Sequence, residues 1–110
     1  IGAHTMSHCR LSNESPETQY MEIEESKIFL ERVLNKKIQS FSYPFGSYAD
    51  YSDFTPGIVK QLGYNCGISN NQGFVTKNSD AYNIPRYLIR NWNSTEFENK
   101  IKNMFRFGPE

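Results

Sequence analysis

"IQSFSYPFG", residues 38–46, alternates apolar and polar side chains from Ile38 to Tyr43 and then stops at Pro44 and Gly46. A period of two belongs to a half-buried strand, and proline and glycine in quick succession end one. On its N-terminal side, Ser15 to Lys36 reads as a helix. Ser15 suits the N-cap, Pro16 the first helical position and Glu17 the first turn. Tyr20, Ile23, Leu30 and Leu34 recur at helical spacing with Val33 beside them, while Glu22, Glu25, Glu31 and Arg32 fall on the faces expected to meet water.

On its C-terminal side a Tyr-, Ser- and Asp-rich loop leads to a short helix starting near Thr55–Pro56, with Ile58, Val59 and Leu62 on it and Gly63 as a left-handed cap. "YNCGIS" (residues 64–69) and "NIPRYLI" (83–89) read as further strands, the second confined by Pro85 to an edge or a strand start. A last helix starts near Asn93 or Ser94, with Phe97, Ile101, Met104 and Phe105 on one face and a Thr95–Glu98 capping box as an alternative start. Ile1 to Ala3 reads as the end of a buried strand. Strands alternating with helices predict an α/β domain with parallel pairing. Three to four strands and three helices make a thin sheet, so the expectation is part of a larger α/β unit.

With 110 residues there is material for one small domain. Twelve basic residues balance twelve acidic ones, which removes the electrostatic footprint of a nucleic-acid or polybasic membrane binder. No apolar run approaches the roughly 18 residues that span a bilayer, and no signal peptide is visible. Cys9 and Cys66 allow at most one disulfide. A small buried residue is the ordinary reading of each, and a thiol neighbour to a metal site is the alternative for Cys9.

The chain's two histidines, His4 and His8, lie four residues apart. Two imidazoles at that spacing either share a divalent cation, with Zn–N distances of about 2.0–2.1 Å, or are unrelated polar residues of a loop. A zinc-protease helix needs Glu directly after the first His; Thr5 stands there, which excludes it. Following a strand end, the pair falls where open α/β sheets and barrels carry their active sites.

"IGAHTMSHCRLS" (1–12) resembles the His-(Ser/Thr)-x-x-His motif of the NodB-homology polysaccharide deacetylases, and "FSYPFGSY" (41–48) resembles their next motif. The helix opening "SPETQYMEIEESKIFLE" and the strands in "LGYNCGIS" and "YNIPRYLI" match at the spacing of that family, so the resemblance covers nearly all of residues 1–92. It implies a partial (β/α) barrel and a metal-dependent hydrolase that removes acetyl groups, N-linked and possibly O-linked, from a carbohydrate polymer. His4 and His8 would be ligands to a divalent metal, most often zinc, with Thr5 bracing their loop. The backbone N–H of Phe45 would be an oxyanion donor, and Tyr43 and Pro44 would border the substrate. Arg86 would point into the same site from the neighbouring strand, and Trp92 would add a sugar-stacking wall. Against these stand an ordinary strand-ending turn for residues 43–46, a surface arginine and a partly buried core tryptophan.

Departures from the family pattern also set expectations. No Asp-Asp pair, the source of the base and third ligand, and no Leu-x-His motif occur; Ser42 stands where many members have arginine. Asp50, Asp53 and Asp80 are single and read as solvated turn residues. The chain is therefore expected to be the C-terminal part of a catalytic domain, inactive alone, with open sheet edges inviting a homodimer. The alternative is a non-catalytic remnant that binds sugar or is purely structural. Resemblance favours the cell envelope or exterior and leaves the compartment and the acetylated substrate undetermined.

Overall fold

Ser15 begins the first helix as the sequence implies. Its hydroxyl accepts from the Thr18 N–H at 3.2 Å, and Pro16 opens α1 (Pro16–Leu34). Asn35 caps it in the left-handed region at φ 53°, so the helix stops at Leu34, short of the expected Lys36. The computed structural model describes residues 1–107. Within it follow β1 (Ser40–Ser42), α2 (Thr55–Gln61), β2 (Cys66–Ile68) and α3 (Ser94–Phe107), after a turn of 3₁₀ helix at Leu11–Asn13.

The strands are shorter than their patterns suggest. β1 and β2 pair in parallel, Phe41 opposite Gly67. Ala3 adds a parallel bridge to Phe41 on one side, and Ile84 a parallel bridge to Ile68 on the other. The extended segments therefore lie side by side in chain order, Ala3, β1, β2, Ile84. Of the strand expected over 83–89, Ile84 makes the bridge, through Ile84 N–H to Gly67 O and Ser69 N–H to Ile84 O, both 2.9 Å, and Arg86 N–H reaches Asn71 O at 3.1 Å.

Aromatic rings fill the centre. Phe41 meets Tyr43 and Tyr64 at centroid distances of 5.5 Å each, and Tyr43 stacks on Tyr51 at 4.4 Å. Ala3, Leu11, Ile23, Ile38 and Val59 complete this core, with Cys9, Leu30, Leu34, Ile58, Leu62 and Tyr82 packed around it. Cys9 and Cys66 are free thiols, and Cys9 serves as packing. Glu31, at the end of α1, accepts from Ile38 N–H and from Lys27 Nζ, both at 2.9 Å, and so fixes where the chain enters β1.

The buried stripe of α1 differs from the one expected. Gln19, Glu22, Ile23 and Ser26 form it, while Val33 is 61% exposed. Thr55 is not the cap of α2: Phe54 holds that position, and the Thr55 hydroxyl instead accepts from Ser52 N–H and donates to Gln19 Oε1. Gly63 follows α2 at φ 88°, as its left-handed cap position requires. At α3 the cap lies two residues before the Thr95–Glu98 pair, on the Asn93 start. Glu96 N–H donates to Asn93 Oδ1 at 2.8 Å, and Asn93 Nδ2 to Glu96 Oε1 at 3.2 Å. Among the described residues no helix is long and apolar enough to cross a membrane.

Candidate active site

His4 leaves the sheet directly after Ala3, and His8 follows in an irregular loop, not on a helix. Their rings stand edge to face, 4.7 Å between centroids. His4 Nδ1 lies 2.6 Å from the carbonyl oxygen of Ser42. A carbonyl only accepts, so Nδ1 carries a proton, and in the neutral ring Nε2 is then the nitrogen with the free lone pair. This is the state a metal-binding imidazole needs. Thr5 braces the loop: its Oγ1 accepts from the His8 N–H at 2.9 Å.

Three of the four non-glycine residues at positive φ belong to this region: Thr5 at 65°, His8 at 57° and Phe45 at 65°. Each such conformation costs about 1–3 kcal/mol and persists only where its surroundings hold it. At Phe45 the holder is Asn70. Asn70 Nδ2 donates to Phe45 O and Asn70 N–H to Gly46 O, both at 2.8 Å. The Phe45 N–H itself has no partner among the described residues. Its ring lies 4.9 Å from that of His8, under the Arg10 guanidinium at 5.0 Å.

Arg86 crosses the mouth from the Ile84 segment. Its Nε donates to Ser69 O at 3.0 Å and its Nη2 to Ser42 Oγ at 2.9 Å, so a guanidinium from a different segment stands at the position of Ser42. An open cavity of about 520 Å³ is lined by His4, His8, Ser42, Tyr43, Phe45, Asn70 and Arg86.

Three expected substrate residues are positioned differently. Tyr43 borders the cavity, but its side chain is core: it is 0% exposed, and its hydroxyl donates to Tyr82 O at 2.6 Å. Pro44 is also fully buried. Trp92 is not among the lining residues; it packs against Phe97 and under Lys100 beside α3.

Asp50 is not a solvated turn residue. It is 8% exposed, accepts from the Ser47 N–H and hydroxyl, and pairs with Arg10 at 3.0 Å. Burial opposes its ionisation, but the Ser47 donors and Arg10 outweigh it and hold the carboxyl below its usual range. Asp50 thus steadies the Arg10 that covers Phe45. Glu22, expected at the surface, is buried and accepts from Met6 N–H, Ser7 N–H and Ser7 Oγ. A helical period counted from Ile23 and Leu30 would have placed Gln19, Glu22 and Ser26 on the same stripe. For Asn70 no sequence signal was available.

The fit to a metal is that of a partial donor set. Two imidazoles at ring contact, one with its Nδ1–H engaged, suit a borderline cation such as zinc. Among the described residues no group of three or more His, Cys, Asp or Glu converges, so the third ligand of a catalytic set is not supplied by them.

Residues 1–67 match the family model described as polysaccharide deacetylase. The chain belongs to the polysaccharide deacetylase family. It is 32% identical over 93 residues to the poly-beta-1,6-N-acetyl-D-glucosamine N-deacetylase of Staphylococcus aureus, covering 84% of this chain and 30% of that protein. The Streptococcus pyogenes deacetylase PplD, solved in complex with acetate, superposes with a TM-score of 0.79 at 29% identity, over 94% of this chain and 43% of that one. A Bacillus cereus polysaccharide deacetylase shares the fold, with a TM-score of 0.74 at 24% identity over 92% of this chain and 31% of that one. This family member spans about a third of the length of the curated relatives it matches, 31% and 30%. Its parallel segments in chain order, joined through α1 and α2, are part of the family's α/β barrel.

Proposed function

We propose that the chain contributes the metal-holding and oxyanion-binding side of a hydrolase site that removes acetyl groups, N-linked and possibly O-linked, from a polysaccharide or related carbohydrate. One observation carries this reading: the His4–His8 pair, its first imidazole fixed by Ser42 O, faces the same cavity as the turn that presents a Phe45 N–H with no partner among the described residues. His4 and His8 would hold a divalent cation, zinc by donor type, which when bound polarises an acyl oxygen and acidifies water.

The chain's own groups do the rest. Phe45 N–H donates to the acetyl oxygen as it gains negative charge, a contribution of about 3 kcal/mol in comparable sites. Asn70 prevents the turn from rotating away. Arg86 offers its remaining guanidinium donors to the substrate across the mouth. Tyr43 and Pro44 act on the substrate through the wall they support. Trp92 would reach a longer sugar chain only beyond the cavity rim. No carboxylate is among the lining residues, so the base that takes the proton from water comes from outside them.

Calorimetric titration with zinc tests the reading: one ion per chain, lost in His4→Ala and in His8→Ala. A parent chain that takes up no zinc, or variants that bind it as well, overturns it. For the chain alone, acetate release from acetylated chito-oligosaccharides is expected to stay at background. Turnover that depends on added zinc would mean that a base is present after all. Zinc uptake without any sugar-dependent change in a chain completed with its missing ligand would favour a non-catalytic, structural role.

Among the described residues no segment pairs beyond Ala3 or beyond Ile84. Pairing of two copies along one edge is the assembly that accompanies this reading. A monodisperse monomer by light scattering at high concentration removes it.

A further inference from the structure

Glu22 is a carboxylate with unusual company. It projects from the buried face of α1, 8% exposed, and pairs with no lysine or arginine among the described residues. Burying a carboxylate away from a counter-charge is costly unless strong donors replace water. The donors here are Met6 N–H at 2.8 Å and Ser7 N–H at 3.0 Å, both on Oε2, and the Ser7 hydroxyl on Oε1. All three belong to the short stretch between His4 and His8.

That stretch needs holding. Thr5 and His8 both adopt left-handed φ values, 65° and 57°, without being glycine. The ends of the loop have other ties, His4 Nδ1 on Ser42 O and His8 N–H on Thr5 Oγ1. Its middle has Glu22. α1 is the rigid partner: Ile23, the next residue, is fully buried in the core, and Gln19 one turn earlier is hydrogen-bonded to Leu11 O. An acceptor fixed on a packed helix sets a loop more tightly than another loop residue does.

We infer that Glu22 is a positioning residue for the two imidazoles: its carboxylate fixes the backbone between them and so sets their separation and angle. The inference rests on the reading of His4 and His8 as metal ligands, and its test separates the two.

The decisive comparison uses the full chain and its Glu22→Ala and Glu22→Gln variants. A glutamine oxygen can take both backbone donors while its amide donates to Ser7 Oγ, so Gln keeps the geometry and drops the charge. Ser26→Ala, on the same buried stripe without contact to the loop, is the control for general helix damage. Two readouts are taken: amide hydrogen exchange at Met6 and Ser7 in the metal-free chain, and cobalt(II) affinity from the visible absorption of the bound ion. Glu22→Ala is expected to speed exchange at both amides and weaken cobalt binding about tenfold, the lower end of what supporting partners of metal ligands contribute. Glu22→Gln stays within about threefold of the parent by the same scale, and Ser26→Ala matches it.

Unchanged exchange and unchanged cobalt affinity in Glu22→Ala overturn the inference, as does an equal loss in Ser26→Ala. A parent that binds no cobalt, while exchange at Met6 and Ser7 still depends on Glu22, removes the metal reading and leaves the positioning role standing. Should Glu22→Ala fail to fold, Ser7→Ala removes one of the three bonds without touching the helix. Cobalt affinity unchanged in Ser7→Ala then overturns the inference.

Discussion

The Asn70 N–H donates to the carbonyl of Gly46 at 2.8 Å, and a Cβ built on Gly46 would stand 2.9 Å from that same nitrogen. Gly46 also has φ +86°, so the turn bearing the Phe45 N–H is closed by a residue that cannot carry a side chain on two separate grounds.

Gly46→Ala is therefore expected to lose about 2–4 kcal/mol, the left-handed penalty plus the displaced Asn70 contact. Gly63→Ala shares the penalty, with φ +88°, but meets nothing within 4 Å. It should lose about 1 kcal/mol. Gly57→Ala, inside α2 with open space around it, should gain about 0.5–1 kcal/mol. Urea unfolding ranks the three; equal losses at Gly46 and Gly63 would show that the Asn70 contact carries no weight.

Gln19 joins three segments from within the core. Its Nε2 donates to Leu11 O at 2.7 Å, Glu14 O at 3.2 Å and Ser52 Oγ at 3.0 Å, and its Oε1 accepts from Thr55 Oγ1 at 2.6 Å. Gln19→Leu removes these bonds and leaves the buried Thr55 hydroxyl without its acceptor, at a cost of about 3 kcal/mol. Adding Thr55→Val removes one orphaned hydroxyl. A double-mutant cycle should give a favourable coupling of about 1 kcal/mol, and strict additivity would contradict the network.

Asp50 places stability on the acid side. Its folded carboxyl titrates below the ordinary 3.8, because Ser47 and Arg10 outweigh burial. A depressed folded value means a contribution fully present above the unfolded value and lost as pH falls through the folded one. Asp50→Asn is expected to destabilise the chain at neutral pH and to flatten the decline of Tm below about pH 4. A parallel acid limb in the variant would refute this.

Tyr64 acts at the opposite end. Burial, chiefly, pushes its phenol from 10.0 up to about 12, and its hydroxyl donates to Ile23 O at 3.0 Å. The unfolded chain then ionises first, so this contribution is whole below pH 10 and falls away as pH rises towards 12. Tyr64→Phe should show a shallower alkaline loss of stability, read by thermal melts at pH 9 to about 11.

The sequence made legible whatever local chemistry decides. Ser15 and Pro16 announce α1, Gly63 its successor's end, and the alternation at Ile38–Tyr43 a strand, although pairing reaches only Ser40–Ser42. The His4–His8 spacing and the turn at Gly46 pointed to the cavity before its walls were known. What escaped depends on distant partners. Glu22 is neutral in its own helix and becomes a site residue through Ser7, 15 positions away. Asn70 does so through Phe45, 25 positions away. The expected strand at 83–89 reduced to the bridge at Ile84, with Arg86 N–H on Asn71 O beyond it, because its pairing follows where β2 stops and not its own propensity.

Four groups at the cavity follow the same ends of extended segments laid down in chain order: His4, Phe45, Asn70 and Arg86. Inserting a residue in the far-side connector at 35–37 would lengthen a hinge and leave this end unmoved. One inserted within Ser40–Ser42 would shift parity, sending Phe41 outward and reversing the turn that follows. The architecture thus divides into an end that absorbs an added residue and an end where one would scatter the groups around the cavity.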